Sequence, residues 1–259
     1  MKFMIGDIVT RKSHDNDILF KIIEIDNSKA LLKGIDVRLV ADSDLDDLVK
    51  MVDTDQNKLH QEDTTLTKRA ISSLDLDRSE YFYLPGKILH IDADNDYLQR
   101  CIKFYRDVKV EAYGINLKED EVSNEIINTL NTYKPNIVVI TGHDAYFKNR
   151  DEKYQNSDFF IHAVRKAREY EQSQDKLIII AGACQSNYEE LIKAGANFAS
   201  SPKRVNIHAL DPAIVASSIA FSPKNKEIDL IPLLEKTKYG TDGMGGIITN
   251  GTMYVGFPR

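Results

Sequence analysis

The sequence predicts an α/β protein: a mostly parallel sheet with helices on both faces, preceded by a small SH3-like β-barrel. Three observations carry this. The runs Lys87–Asp92, Asn136–Thr141 and Leu177–Ala181 are largely apolar, as strands buried on both faces of a parallel sheet are. Stretches with helical spacing of apolar residues lie between them, so the chain repeats βα units. Ahead of these units, residues 3–51 hold short runs of partly alternating apolar and polar residues separated by turn residues.

In the first part the runs are Gly6–Thr10, Ile18–Ile25, Ala30–Leu32 and Val37–Val40, with turns at His14–Asp17, Asp26-Asn27 and Gly34. So many short strands in so few residues suggest a barrel over residues 1–52. Its acidic exit, Asp42–Asp47, reads as a solvated helix start. Residues 53–82 are polar and read as a linker or exposed helix, with Lys68, Arg69 and Arg78 offering a processing site. Residues 83–259 form the α/β domain. Its helices are expected over Asp96–Val108, Glu119–Tyr133, Asp158–Gln174, Asn187–Gly195 and Pro212–Phe221. Further strands are expected at Val110–Leu117, Asn197–Ser201, Ile228–Leu234, Gly246–Thr249 and Met253–Gly256.

A chain of 259 residues with 42% hydrophobic and 29% charged residues can bury a large core. A net charge of −6 speaks against nucleic acid as a partner. No apolar run approaches membrane-spanning length, and Met1–Thr10 lacks the apolar core of a signal peptide. Cys101 and Cys184 cannot make a disulfide framework or a structural zinc site. A reducing, intracellular compartment follows, and neither a metal ion nor an organic cofactor is expected.

The chemistry gathers at two strand ends. One strand runs into Thr141-Gly142-His143-Asp144, the next into Gly182-Ala183-Cys184-Gln185. The chain between them has room for one loop, one helix and one strand, so the two strands can be parallel neighbours. That would carry His143 and Cys184 to the same edge of the sheet, where ligands gather in open α/β folds. A helix starting just after Cys184 would lower its thiol pKa, and His143 would serve as the base. Other readings stay open at this point. Cys184 could be an inert buried cysteine. Gly-Ala-Cys after a strand also suits a glutaminase-like amidohydrolase, although those enzymes carry their histidine downstream of the cysteine. Asp92 and Asp94 would suit a non-catalytic binding module; turn formation and helix capping are their ordinary roles. Cys101 and His90 read as core, and His162 as surface or packing. His208, in Val205–Asp211, is a rival base or a substrate contact.

A His beside a Gly at one strand end, followed by Ala-Cys at a later one, resembles the caspase–gingipain–clostripain–separase clan, whose caspases place the His roughly 50 residues before the Cys. Here Gly142 precedes His143 instead of following it, so the amide N–H that assists the oxyanion in that clan would belong to Asp144, together with that of Cys184. A closer resemblance spans almost the whole chain. IGDIVTRKS, VRLVADSDLDDLV, PGKILHID, ITGHDAY, AGACQSNYEELIKAGANFASSPKRVNIHALDP and GGI resemble the YabG sporulation peptidase family. The resemblance implies a caspase-like domain and a cysteine endopeptidase that cleaves spore coat and related proteins, and itself, after arginine. It implies the mother cell of a spore-forming bacterium, with the spore coat as a further location. An arginine-selective protease must pair the guanidinium with a carboxylate, since a desolvated unpaired charge is very costly. Asp92, Asp94, Asp144 and Asp211 qualify by position. Asp144 sits close to the reacting carbonyl, and Asp211 before Pro212 fits a helix N-cap. The clan's pocket floor follows its first strand, which favours Asp94 over Asp92.

Overall fold

The structure, a computed structural model, describes residues 3–51, 61–72, 76, 79–147 and 154–258. Its first unit is a five-stranded antiparallel sheet of β1 (Ile8–Arg11), β2 (Phe20–Asp26), β3 (Lys29–Gly34), β4 (Val40–Asp44) and β5 (Leu48–Lys50), in the order β4-β3-β2-β1-β5. Alternation works as expected: Phe20 and Ile22 are buried while Lys21 and Ile23 face out. A bulge between Ile22 and Glu24 then shifts the register. Two expectations need correcting. The acidic run Asp42–Asp47 finishes β4 and makes a single 3₁₀ turn, Leu45–Asp47, because the strand continues before a helix can begin. Val37–Leu39 does not join this sheet, since its backbone pairs with the second unit.

α1 (Gln61–Ser72) lies in the expected linker and buries Leu66 and Ala70 against the rest of the protein. Residues 53–60, 73–75, 77 and 78 of that segment, Arg78 among them, fall outside the described residues. The second unit follows, with β6 (Phe82–Leu84), β7 (Ile88–Asp92), α2 (Asn95–Asp107), β8 (Ala112–Asn116), α3 (Glu119–Tyr133) and β9 (Ile137–Thr141). Then come α4 (Ser157–Tyr170), β10 (Ile178–Ala181), α5 (Tyr188–Lys193), β11 (Phe198–Ser200) and α6 (Asp211–Ala220). The chain ends through α7 (Leu230–Leu234), α8 (Gly240–Gly243), β12 (Met244–Gly246) and β13 (Tyr254–Gly256).

The main sheet has the order β12-β11-β10-β9-β7-β8, parallel except for the antiparallel edge strand β12. Successive strand residues point to opposite faces. Ile88, Val139 and Ile180 pack with α2, α6 and the N-terminal sheet, whereas Leu89, Val138 and Ile179 pack with α3 and α4. Residues 228–234, expected as a strand, form α7 instead. Asp229 caps it by accepting the N–H of Ile231, and an apolar run this short does not reveal its period. β13 pairs with β6 in a separate two-stranded sheet rather than extending the main one.

Candidate active site

β9 and β10 pair through Ile140 and Ala181, so both chains leave the sheet side by side at its carboxyl edge. His143 lies just past one end and Cys184 just past the other. Gly182 makes the turn off β10 with φ +106°, a conformation that disfavours any side chain, and a Cβ there would meet Leu191 at 3.0 Å. Cys184 is wholly buried. Its sulfur accepts the N–H of Ile207 at 3.2 Å, and the N–H of Arg38 also points at it. Burial pushes this thiol up to about 12. The expected help from a helix N-terminus is missing, because α5 begins only at Tyr188 and is capped by Asn187.

His143 has two carboxylate neighbours. Its Nε2 is 3.3 Å from Asp94 Oδ2, within ion-pair distance although not aligned as a hydrogen bond, and its Nδ1 is 3.8 Å from Glu119. Burial disfavours the imidazolium, but these two acids outweigh it and raise the pKa. Glu119 also accepts the backbone N–H of His143 at 2.9 Å. Among the described residues no hydrogen bond joins His143 to Cys184, so the two are neighbours held by separate partners.

The four candidate acids have four different environments. Asp94 caps α2, accepting the N–H groups of Asp96 and Tyr97, and its other oxygen meets Lys33 at 2.6 Å as well as His143. Asp144 is buried, accepting from Ala145 N, Asn156 N, Ser157 Oγ and Ser186 Oγ, so its carboxylate ties the loop to α4. Asp211 opens α6, yet its side chain accepts the N–H groups of His208 and Lys238 rather than capping the helix, and burial raises its pKa to about 7. Asp92 is fully buried and holds the guanidinium of Arg38 at 2.6 Å, with Thr141 Oγ1 at 2.9 Å. Burial would raise the Asp92 pKa, but Arg38 prevails and holds it at about 2. His208 faces Glu62 and Asp63 of α1 at 3.8 and 3.6 Å, and burial pushes its pKa down to about 4.

Arg38 is the residue that sequence reasoning missed. It comes from the N-terminal unit yet is wholly buried in the second. Its guanidinium lies 4.9 Å from the Tyr97 ring centroid, and its Nε and one terminal nitrogen donate to Ala209 O at 3.2 and 2.9 Å. A charge inside the apolar run Val37–Val40 was the one available signal. Cys101 is core, as expected, and borders this pocket, its sulfur 3.6 Å from an Arg38 nitrogen. Arg100 clamps the approach, bonding Ile35 O, Asp36 and both oxygens of Asp63. His90 is core, bonded to Tyr105 and Thr141.

Comparison with known proteins identifies relatives of the whole chain. A family model described as YabG peptidase U57 matches residues 4–258. The Sporulation-specific protease YabG of Bacillus subtilis (strain 168) is 41% identical over 286 aligned residues, taking in 100% of this chain and 99% of that protein. Among solved structures, a two-component response regulator/GGDEF domain protein is 18% identical and covers 55% of this chain and 49% of its own, at a TM-score of 0.30. The pyridoxal-5'-phosphate dependent protein YhfS of Escherichia coli is 10% identical and covers 56% and 36%, at a TM-score of 0.28. These two structural likenesses are too slight to bear on the site. The match along nearly its full length means that this chain belongs to the YabG peptidase family and is a protease.

Proposed function

We propose that this protease is a cysteine endopeptidase cleaving after arginine, with Cys184 as nucleophile and His143 as its proton acceptor and donor. The N–H groups of Cys184 and Asp144 would hold the oxyanion, a contribution of about 3 kcal/mol per donor. Asp92, rather than Asp94, receives the substrate guanidinium. The observation that carries this reading is the buried carboxylate of Asp92, which already pairs with an arginine side chain beside Cys184. Asp94 is committed to capping α2 and to its contacts with Lys33 and His143. The strand order β4-β3-β2-β1-β5 supports an SH3-like barrel, and His before Cys on adjacent parallel strands supports a caspase-like domain. The peptidase family leaves the amidohydrolase and binding-module readings without support. The sporulation-specific name of the B. subtilis relative supports spore coat and related proteins as substrates, and the mother cell as the place of action.

Peptide hydrolysis read by mass spectrometry tests the reading. Cys184→Ala should abolish cleavage after arginine, His143→Ala should remove most of the rate, and His208→Ala should cost much less. Wild-type turnover by Cys184→Ala rejects the mechanism.

A further inference from the structure

We propose that Asp36–Val40 is a built-in substrate and that the bond this protein cuts in itself is Arg38–Leu39. The proposal rests on Cys184 and His143 acting as the dyad, and it adds the position of the self-cleaved bond. Three sets of contacts place this segment as a substrate would lie. The first is the side chain: Arg38 fills the pocket of Asp92, Ala209 O and the Tyr97 ring. The second is the backbone before the bond. Arg38 N–H donates to Ile207 O at 3.2 Å, Ala209 N–H donates to Asp36 O at 2.9 Å, and Val37 pairs antiparallel with His208. An extended peptide adding itself to a strand edge is a standard mode of peptide recognition. The third is the backbone after the bond: Leu39 pairs in parallel with Asp144, the residue following His143. The Arg38–Leu39 peptide unit therefore runs from the Cys184 side of the cleft to the His143 side.

The other basic residues fit less well. Lys68 and Arg69 lie within the helix α1, whose coiled backbone cannot lie extended along the edge. Arg78 is outside the described residues.

The reaction uses only the dyad and water. The Cys184 sulfur adds to the Arg38 carbonyl carbon, and the thiol proton passes to His143. The C–N bond to Leu39 breaks, and His143 returns the proton to the departing amine. Water then hydrolyses the thioester, releasing the Arg38 carboxylate and restoring the thiol. Until that cut, the pocket is full and Cys184 has no exposed surface, so the uncut chain is latent toward other proteins.

The test follows the purified full chain over time by intact mass and N-terminal sequencing, alongside hydrolysis of an arginine peptide. A new N-terminus at Leu39 should accumulate in step with peptide hydrolysis and be absent from Cys184→Ala. Arg38→Gln should stay whole at this bond and hydrolyse peptide at least tenfold more slowly. Leu39→Pro retains the Arg38 side chain and should also stay whole and latent, with thermal unfolding against the wild type confirming that it is folded. Full peptide hydrolysis with Arg38–Leu39 intact, or new termini only elsewhere, overturns the self-cleavage site and spares the dyad. A Leu39 terminus appearing equally in Cys184→Ala, or no cleavage of chain or peptide at all, overturns both.

Discussion

Asp92 and Asp94 are separated by one residue, and their partners distinguish them. Asp92 ends a buried strand and faces a guanidinium; Asp94 has left the strand and faces a helix terminus, a lysine and His143. Asp92→Asn should lower kcat/KM on arginine peptides by about 2–4 kcal/mol, the scale of breaking a buried charge pair. Asp94→Asn should cost less in binding, acting through the orientation and charge of His143. Kinetics of both variants on one peptide check this; a silent Asp92→Asn would return the pocket to Asp94. The placement of His143 and Cys184 past neighbouring strand ends was readable from the sequence, because strand ends follow from where apolar runs stop. The preference for Asp94 came from the resemblance to a clan whose pocket floor lies on the loop after its first strand. What separates the surroundings of the two acids is Arg38, which arrives from another unit and whose only trace in the sequence is a charge inside the apolar run Val37–Val40.

The element that joins the two units is the connection from β3 to β4. It starts at Gly34, where an added Cβ would sit 2.3 Å from Val37 O and 2.9 Å from Val37 Cγ2, so the turn closes only around a hydrogen atom. The Tyr97 hydroxyl donates to Gly34 O and Val37 O, and Arg100 holds Ile35 and Asp36. Gly34→Ala should push this loop outward at a cost of about 1–3 kcal/mol. Cys184 should then react with a small alkylating agent about tenfold faster, since 1.4 kcal/mol in the open–closed balance is a factor of ten. Peptide mapping after alkylation reads this directly; an unchanged rate at Cys184 would mean the loop does not guard the thiol. The strands of the main sheet were legible as apolar runs bounded by turns. Residues 228–234 were not, for a short apolar run serves a strand or a helix equally. Val37–Leu39 alternates like a strand because it is paired as one, but with residues far along the chain.

Across the whole molecule, one unit docks on the other through a shared apolar core and several polar ties, of which the wholly buried Arg38–Asp92 ion pair is the one that titration can isolate. The Asp92 pKa is depressed from 3.8 to about 2. The pair's contribution is therefore complete above about pH 4 and is lost as pH falls through 2, a change of about 2 kcal/mol. Thermal unfolding followed between pH 5 and 2 should show this loss in the wild type and a flatter profile in Asp92→Asn; parallel profiles would mean the pair does not govern docking. The α/β architecture could be read from patterning. The insertion of one unit into the other could not, because composition and period describe how a segment folds on its own. That insertion also bears on timing. Arg38 leaves the ribosome long before Cys184, Ile207 and Ala209 exist, so the occupant is waiting when the pocket is completed. Tethered, it competes at an effective concentration on the order of millimolar. On the proposed self-cleavage, the first peptide a newborn copy of this protease meets is its own, and each copy's clock starts at its own synthesis rather than at an encounter with another molecule.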